Sequence, residues 1–343
     1  MISLHRKFLQ MLTGPCRIKA GCGMVIAVSG GPDSMAMLHL LAGVQQQLNL
    51  ALTVVWVDHG LRPEETQREE HVVSRAARKL DLPFIARQVN VADFAAEQHL
   101  SIEHAARNLR YNVLRKAAQD RRADCIAVAH TADDQAEEIL LRLLRGSGRK
   151  GVSGMSTRSG DLIRPLLHTE KEELLCWLQE KGIDYCIDSS NDDLKFLRNR
   201  VRHQLLPFLE EHFNKGIRKS LHKTADSLAE DENLLAALTE AASSDVIRQG
   251  PAPPACDKTM RIMRQPFCAL HTALQRRVVE QLLWQMDTRA GFDHILLIIK
   301  AAASGRNHSE LHLSRGLRVG IFREYLELSY PAGNTPWRGR LFS

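Results

Sequence analysis

The chain runs to 343 residues, too many for one small core and about right for two domains. Its 44% hydrophobic and 25% charged residues are ordinary for a globular protein, and no apolar run of 18 residues argues for a membrane-spanning helix. Seven scattered cysteines without a Cys-x-x-Cys pair speak against a disulfide framework, a zinc ribbon or an iron–sulfur site, and the net charge of +6 is modest. His5, Arg6 and Lys7 lead into no apolar signal core, so a cytoplasmic location is expected.

In chain order, Met24–Val28 reads as a buried strand, followed by a helix whose apolar positions include Met35, Met37, Leu38 and Leu41. Leu52–Val57 is a second strand, Glu69–Leu80 a helix and Phe84–Val89 a third strand. A helix over Ile102–Ala118, a strand at Cys125–Ala129 and a helix over Thr131–Leu144 complete the series. Strand–helix alternation with wholly apolar strands predicts a doubly wound, mainly parallel α/β sheet covered on both faces. Ligands in such sheets bind beyond the carboxyl ends of the strands.

After about Asn214 the rhythm changes. Ile217–Ile247 reads as one long helical stretch, broken by Gly250-Pro-Ala-Pro-Pro254. Helices near Ala273–Met286 and Phe292–Ala303 precede short strand candidates at Leu311–Leu313, Arg318–Phe322 and Tyr325–Leu328, and residues from Pro331 onward look like a tail. The expectation is a catalytic domain over residues 1–214 and a smaller, mainly α domain over 215–343. Lys and Arg number 28 against 27 acids through His212, and 18 against 13 from Phe213 onward. A near-neutral part joined to a basic one suits an enzyme whose second domain meets a polyanion, although a solvated surface explains the excess as well.

The segment Ser29-Gly30-Gly31-Pro32-Asp33-Ser34 lies between the first strand and its helix. Two glycines let the backbone approach an anion, and successive N–H groups, a helix N-terminus and two hydroxyls converge on it. Without Gly-Lys-[Ser/Thr] it is not the common phosphate loop of ATPases and GTPases. Asp58 and His59, at the second strand's end, are a seat for a nucleotide's base and ribose, or simply a polar turn. At the fourth strand's end, Thr131 and Asp134 form a capping-box variant, which accounts for one or two acids but not for Asp133, Asp134, Glu137 and Glu138 together. Asp134 and Glu137 share a helix face, where they could hold a cation or accept a proton from an amine. Arg107, Arg110 and Tyr111 lie one turn apart, and Arg142-Leu-Leu-Arg-Gly-Ser-Gly-Arg-Lys-Gly151 is glycine-rich and basic, suited to an RNA backbone or simply a helix C-cap and loop.

The loop resembles the signature of the PP-loop, or N-type, ATP pyrophosphatases, which have an adenine-nucleotide alpha-hydrolase-like fold, adenylate a substrate and release pyrophosphate. Asp58-His-Gly-Leu-Arg, Ala106-Arg-x-x-Arg-Tyr111, His130-x-x-Asp-Asp-Gln-x-Glu137, Arg145-Gly-Ser-Gly-x-x-Gly-Val-x-Gly-Met155, Arg164-Pro-Leu, Asp188-Ser-Ser-Asn191 and Arg198-Asn-x-x-Arg202 follow in order. Over residues 24 to about 207 this is similar to the tRNA(Ile)-lysidine synthetase family. Glu138 stands where threonine is usual and Ser189 where proline is frequent; beyond residue 215 the resemblance is looser, and the extra C-terminal domain of longer members is expected to have no counterpart.

The resemblance implies ligation of free L-lysine to C2 of the wobble cytidine of isoleucine tRNA with a CAU anticodon. The product, lysidine, changes codon reading from AUG to AUA. It implies ATP and Mg²⁺ as cofactors, with Ser29, Gly30, Gly31, Pro32 and Ser34 on the phosphates and Asp33 on Mg²⁺. Asp134 and Glu137 would meet the lysine ammonium or Mg²⁺, and Arg110, with Arg198 or Arg202, would neutralise phosphate. Arg107, His130 and Arg145 would contact the tRNA, and the oligomeric state stays open. A tRNA thiolase would use the same loop but commonly relies on paired cysteines; a non-catalytic tRNA-binding relative would have no need of Asp33, Arg110, Asp134 and Glu137.

Overall fold

The computed structural model describes residues 3–60, 63–187, 194, 196–250, 259–288, 291–313 and 316–330, with backbone alone at 63–65 and 149–150. Leu61, Arg62, the Asp188–Asn191 motif, Pro251–Pro254, Cys256 and the tail from Pro331 lie outside the described residues. Two compact units divide the chain, Met1–Ala229 and Glu230–Ser343, the division falling inside the long helix that the sequence placed at the start of its second domain.

The first unit opens with α1 (Leu4–Thr13), β1 (Gly23–Ala27), α2 (Pro32–Leu48), β2 (Ala51–Asp58), α3 (Pro63–Lys79) and β3 (Phe84–Gln88). It continues through α4 (Val91–Gln98), α5 (Ile102–Asp120), β4 (Cys125–Ala127), α6 (Ala132–Leu144) and α7 (Arg149–Val152). The short strands β5 (Arg158–Ser159) and β6 (Leu162–Ile163) precede α8 (Lys171–Lys181) and α9 (Leu197–Arg200). A π-helical turn (Val201–Leu205), α10 (Leu206–His212) and the start of α11 (Ile217–Val246) close the unit.

The sheet runs β3-β2-β1-β4-β6-β5, parallel except for β5. Alternation along each strand explains why both faces need covering. Met24 and Ile26 of β1, Val54 and Trp56 of β2 and Ala127 of β4 join the core that includes Phe8, Leu38, Leu41, Val73 and Leu174 from α1, α2, α3 and α8. Val25, Val55 and Ile126 point to the opposite core, where α5 supplies Tyr111 and Leu114. Chain order reverses between β1 and β4, so the crevice at their carboxyl ends is the topological switch point. The loops after β1, β2 and β4 carry Ser29–Ser34, Asp58–His59 and His130, which places the motifs at that edge.

The expected strands and helices of this unit are present, displaced at their ends by a few residues. The elements β5 and β6 are two residues each, too short to show a period, and the sheet recruits them by backbone pairing. Cys16, Cys22, Cys125, Cys176, Cys186 and Cys268 are free thiols.

The second unit contains β7 (Ile247–Gln249), β8 (Met260–Met263), α12 (Arg264–Ala269), α13 (Thr272–Gln285), α14 (Phe292–Ser304), β9 (Ser309–His312), β10 (Arg318–Ile321) and β11 (Tyr325–Ser329). Its antiparallel sheet, ordered β7-β8-β11-β10-β9, shares a core with the helices through Ile262, Phe267, Val278, Leu282, Ile298 and Leu326. The sequence anticipated the last three strands; β7 and β8 add two more on either side of the proline-rich segment. Among the described residues, no helix is long and apolar enough to cross a membrane.

Candidate active site

Gly31 caps α2 and Pro32 takes its first position, where a missing N–H costs nothing. The Ser34 hydroxyl donates to Gly31 O at 2.9 Å and accepts from Ser29 N at 3.2 Å, tying the loop into a ring. Gly30 sits at φ +92°, and a Cβ there would lie 3.4 Å from Cβ of Glu69, so the turn needs glycine for conformation more than for space. Cys186 N donates to Gly30 O at 2.9 Å and fixes the outer side of the loop.

Asp33 occupies the first turn of α2, where the helix dipole favours an anion. Lys171 Nζ stands 3.7 Å from one of its carboxylate oxygens. The other, Oδ1, is buried, and among the described residues no donor reaches it. Burial pushes the Asp33 carboxyl up to about 6 against the pull of Lys171, with Asp134 and Asp133 adding to the rise. A buried, unmatched acceptor beside this loop could hold a cation.

At the start of α6 the capping box is complete: Asp134 N donates to Thr131 Oγ1 at 3.4 Å, and Thr131 N donates to Asp134 Oδ2 at 2.9 Å. The other oxygen of Asp134 faces Arg202 at 3.4 Å and Arg198 at 3.7 Å. Burial alone would raise the Asp134 carboxyl, but Arg198, His130, the Thr131 N–H and Arg202 hold it below the usual carboxylate range. Glu137, 0% exposed, accepts from Arg202 Nε at 2.6 Å, Arg202 Nη2 at 3.1 Å and Arg198 Nε at 3.0 Å. Two arginines at i and i+4, straddling the junction of α9 and the π-helical turn, thus grip one carboxylate. Their positive charge faces the acids of α6.

Asp33, Thr131, Asp133, Asp134, Glu137, Lys171, Arg202 and Arg218 line one pocket of about 120 Å³, room for an ammonium or a phosphate group rather than a whole nucleotide. Asp133 Oδ1 accepts from Arg218 at 2.9 Å, and its Oδ2 accepts from Lys171 N at 2.9 Å, capping α8. His222 Nε2 meets Ala132 O at 2.6 Å, so the first turns of α11 brace the start of α6.

A cationic neighbourhood adjoins the pocket. Burial pushes His130 down to about 3, against Asp134 and with help from Arg164, Arg198 and Arg110, so this imidazole is neutral at pH 7. His59 is lowered chiefly by burial and then by Arg110, and Arg110 is itself lowered by burial. Among the described residues no partner reaches Nδ1 of His59 or of His130. Asp58 accepts from Gly60 N at 2.7 Å, in keeping with a structured turn.

Of the residues singled out from sequence, Asp33, Asp134, Glu137 and Arg202 share the pocket, and Arg198 joins them through Glu137. Beside it, the Arg110 charge acts on both His59 and His130. Arg107 and Arg145 are exposed and do not line it: Arg107 lies 5.2 Å over the Tyr111 ring, and Arg145 ends α6. Two pocket residues, Lys171 and Arg218, escaped the sequence reading. Lys171 opens a helix seven positions after Arg164, a signal that the Arg164-Pro-Leu motif could have extended to it. Arg218 stood in what read as the next domain.

The family of PP-loop domains matches residues 2–209, which covers the loop, Arg198 and Arg202, and every residue of the pocket except Arg218. The chain belongs to the PP-loop family. It is 36% identical to tRNA(Ile)-lysidine synthase of Geobacter sulfurreducens over 91% of this chain and 65% of that protein. It is 38% identical to tRNA(Ile)-lysidine synthase of Thermosipho africanus over 62% of this chain and 49% of that one. The chain therefore spans about half to two thirds of the length of these relatives. Among solved structures, the U34-tRNA thiolase NcsA from Methanococcus maripaludis is similar with a TM-score of 0.55 at 18% identity, covering 66% of this chain and 78% of that one. At that identity the likeness speaks for the PP-loop fold alone. Membership in the family brings ATP binding to this domain.

Proposed function

We propose that this chain, like the relatives named tRNA(Ile)-lysidine synthase, forms lysidine on isoleucine tRNA, and that it does so at a CAU anticodon with ATP and free L-lysine. The observation that carries the reading is the meeting, in one pocket, of the phosphate loop's Asp33 with the acid-bearing start of α6. In the first step the cytosine C2 oxygen attacks the α-phosphorus of ATP, and pyrophosphate leaves. In the second, the lysine ε-amine attacks C2, AMP departs with that oxygen, and the amine loses a proton.

The residues divide the work. Backbone N–H groups and the hydroxyls of Ser29 and Ser34 hold phosphate oxygens, while Lys171 adds charge on the departing pyrophosphate's side. Asp33 fits Mg²⁺: one unmatched carboxylate oxygen beside phosphates is the usual protein share of its ligands. Bound there, Mg²⁺ would supply charge neutralisation to the phosphates. Asp134 presents its carboxylate to the pocket and receives the lysine ammonium or its released proton. Glu137 shares that negative field while fixing Arg198 and Arg202, which with Arg110 orient the adenylated base. A base in a single-stranded anticodon loop enters such a site without breaking a duplex. Residues 215–343 carry the excess positive charge and bind the tRNA body through its phosphates.

The test is incorporation of radiolabelled lysine into isoleucine tRNA and elongator methionine tRNA transcripts, both with CAU anticodons, with and without ATP. Label confined to the isoleucine transcript and dependent on ATP is expected. ATP turnover on another RNA with no label here would overturn the substrate while keeping PP-loop chemistry.

A further inference from the structure

One face of α6 carries the pocket's acids; Gln135, Glu138 and Arg142 carry a different load. Gln135 is 2% exposed, and its amide makes a two-point clamp on a single residue: Nε2 donates to Met155 O at 2.9 Å, and Oε1 accepts from Met155 N at 2.7 Å. Two turns on, Arg142 Nη1 donates to Gly151 O at 3.0 Å and to Gly154 O at 2.9 Å. Its Nε donates to Glu138 at 2.7 Å, which holds the guanidinium in place. Gly154 sits at φ +73°, and a Cβ there would lie 2.6 Å from the Gln135 amide. The backbone of Gly151–Met155 is thereby fastened to α6 at three residues.

The fastened stretch is the downstream anchor of Arg145-Gly-Ser-Gly-Arg-Lys-Gly151, which packs three cations and three glycines into seven residues. Its upstream anchor is the end of α6 itself, where Ser147 N donates to Arg142 O at 2.9 Å. Arg142 therefore touches both ends of the loop. A short loop tied at both ends keeps its backbone in one register, and its sequence brings Arg145, Arg149 and Lys150 to that stretch, which suits gripping a phosphate backbone. The same helix carries Asp134 and Glu137, so the loop's register is set relative to the acids.

We propose that Gln135 and Arg142 are positioning residues that hold the Arg145–Gly151 loop as a platform for the RNA backbone. The proposal rests on the tRNA reading above and adds the residues that set where the RNA lies.

The full chain, Gln135→Met and Arg142→Lys are compared by three measurements: tryptic cleavage after Arg145, Arg149 and Lys150, Kd for isoleucine tRNA by filter binding, and KM for each substrate. Loss of a buried two-point clamp should speed loop cleavage and raise the tRNA Kd by roughly tenfold each, with KM for ATP and lysine changed by less than about twofold. The proposal is overturned if both variants melt like wild type with unchanged cleavage and Kd. It is also overturned if KM for ATP and lysine rises while the tRNA Kd stays constant, which would assign Gln135 to the acid cluster. Should Gln135→Met fail to fold, Arg142→Lys keeps the charge and loses the carbonyl bonds, and decides alone. If wild type labels no tRNA, the functional reading fails, while cleavage and Kd still judge the clamp.

Discussion

The phosphate loop and the start of α6 face each other across one pocket, yet they treat a carboxylate in opposite ways. At Asp33 the side chain is half-buried with one buried oxygen unmatched, and its carboxyl is pushed up to about 6. At Glu137 burial is complete, but three N–H donors from Arg198 and Arg202 meet the two oxygens. The first group keeps one oxygen without a donor among the described residues; the second has both oxygens met and holds its neighbours still. Burial in itself does not mark a functional acid, because what its oxygens lack decides whether it will bind something.

The largest effect that would sharpen this comparison is on folding. Glu137→Ala takes from two half-buried arginines their main acceptor, leaving them Asp134, and should cost roughly 1–3 kcal/mol, read as a lowered denaturation midpoint. A midpoint within error of wild type would mean the ion-pair cluster contributes nothing to stability. Asp33→Asn should behave in the opposite way, folding as well as wild type or better while slowing ATP-dependent pyrophosphate release by about 10²–10³-fold. A stable variant with normal release would remove Asp33 from the chemistry. Asp134→Asn, at a group both paired and open to the pocket, should raise KM for free lysine roughly tenfold with adenylation partly retained. Unchanged lysine dependence would move the ammonium site elsewhere.

The smallest effect concerns pH. The folded carboxyl of Asp33 titrates near 6, above its ordinary value of 3.8, so between those values the folded state binds more protons than the unfolded one. This group therefore favours folding increasingly as pH falls from 7 through about 6 towards 4. Asp134 and Glu138, both held below their ordinary values, act in the reverse direction at lower pH. The difference in stability between wild type and Asp33→Asn isolates the first term and should shrink as pH drops over that window. A difference independent of pH would show that Asp33 is solvated rather than buried. For the same reason, affinity for Mg²⁺ should weaken below about pH 6, which a titration at pH 5 and pH 7.5 would measure.

Much of this was legible in the amino-acid order. Local signals do not depend on distant partners: apolar runs specified β1, β2 and β4, the Gly-Gly-Pro turn specified the start of α2, and Thr131 with Asp134 specified the start of α6. Because parallel strands put their carboxyl ends at one edge, the sequence alone also gathered Asp33, His59 and Asp134 there. Tertiary structure decided the pairings. Arg198 and Arg202 read as free phosphate binders, and only packing against α6 turned them towards Glu137. Lys171 and Arg218 lie far along the chain from Asp33 and Asp133, and nothing in their own neighbourhood announces the carboxylates they meet. Charge acts through space, so which acid is satisfied and which is left open is a property of the folded arrangement; residue type and spacing fix only which acids can compete for the role.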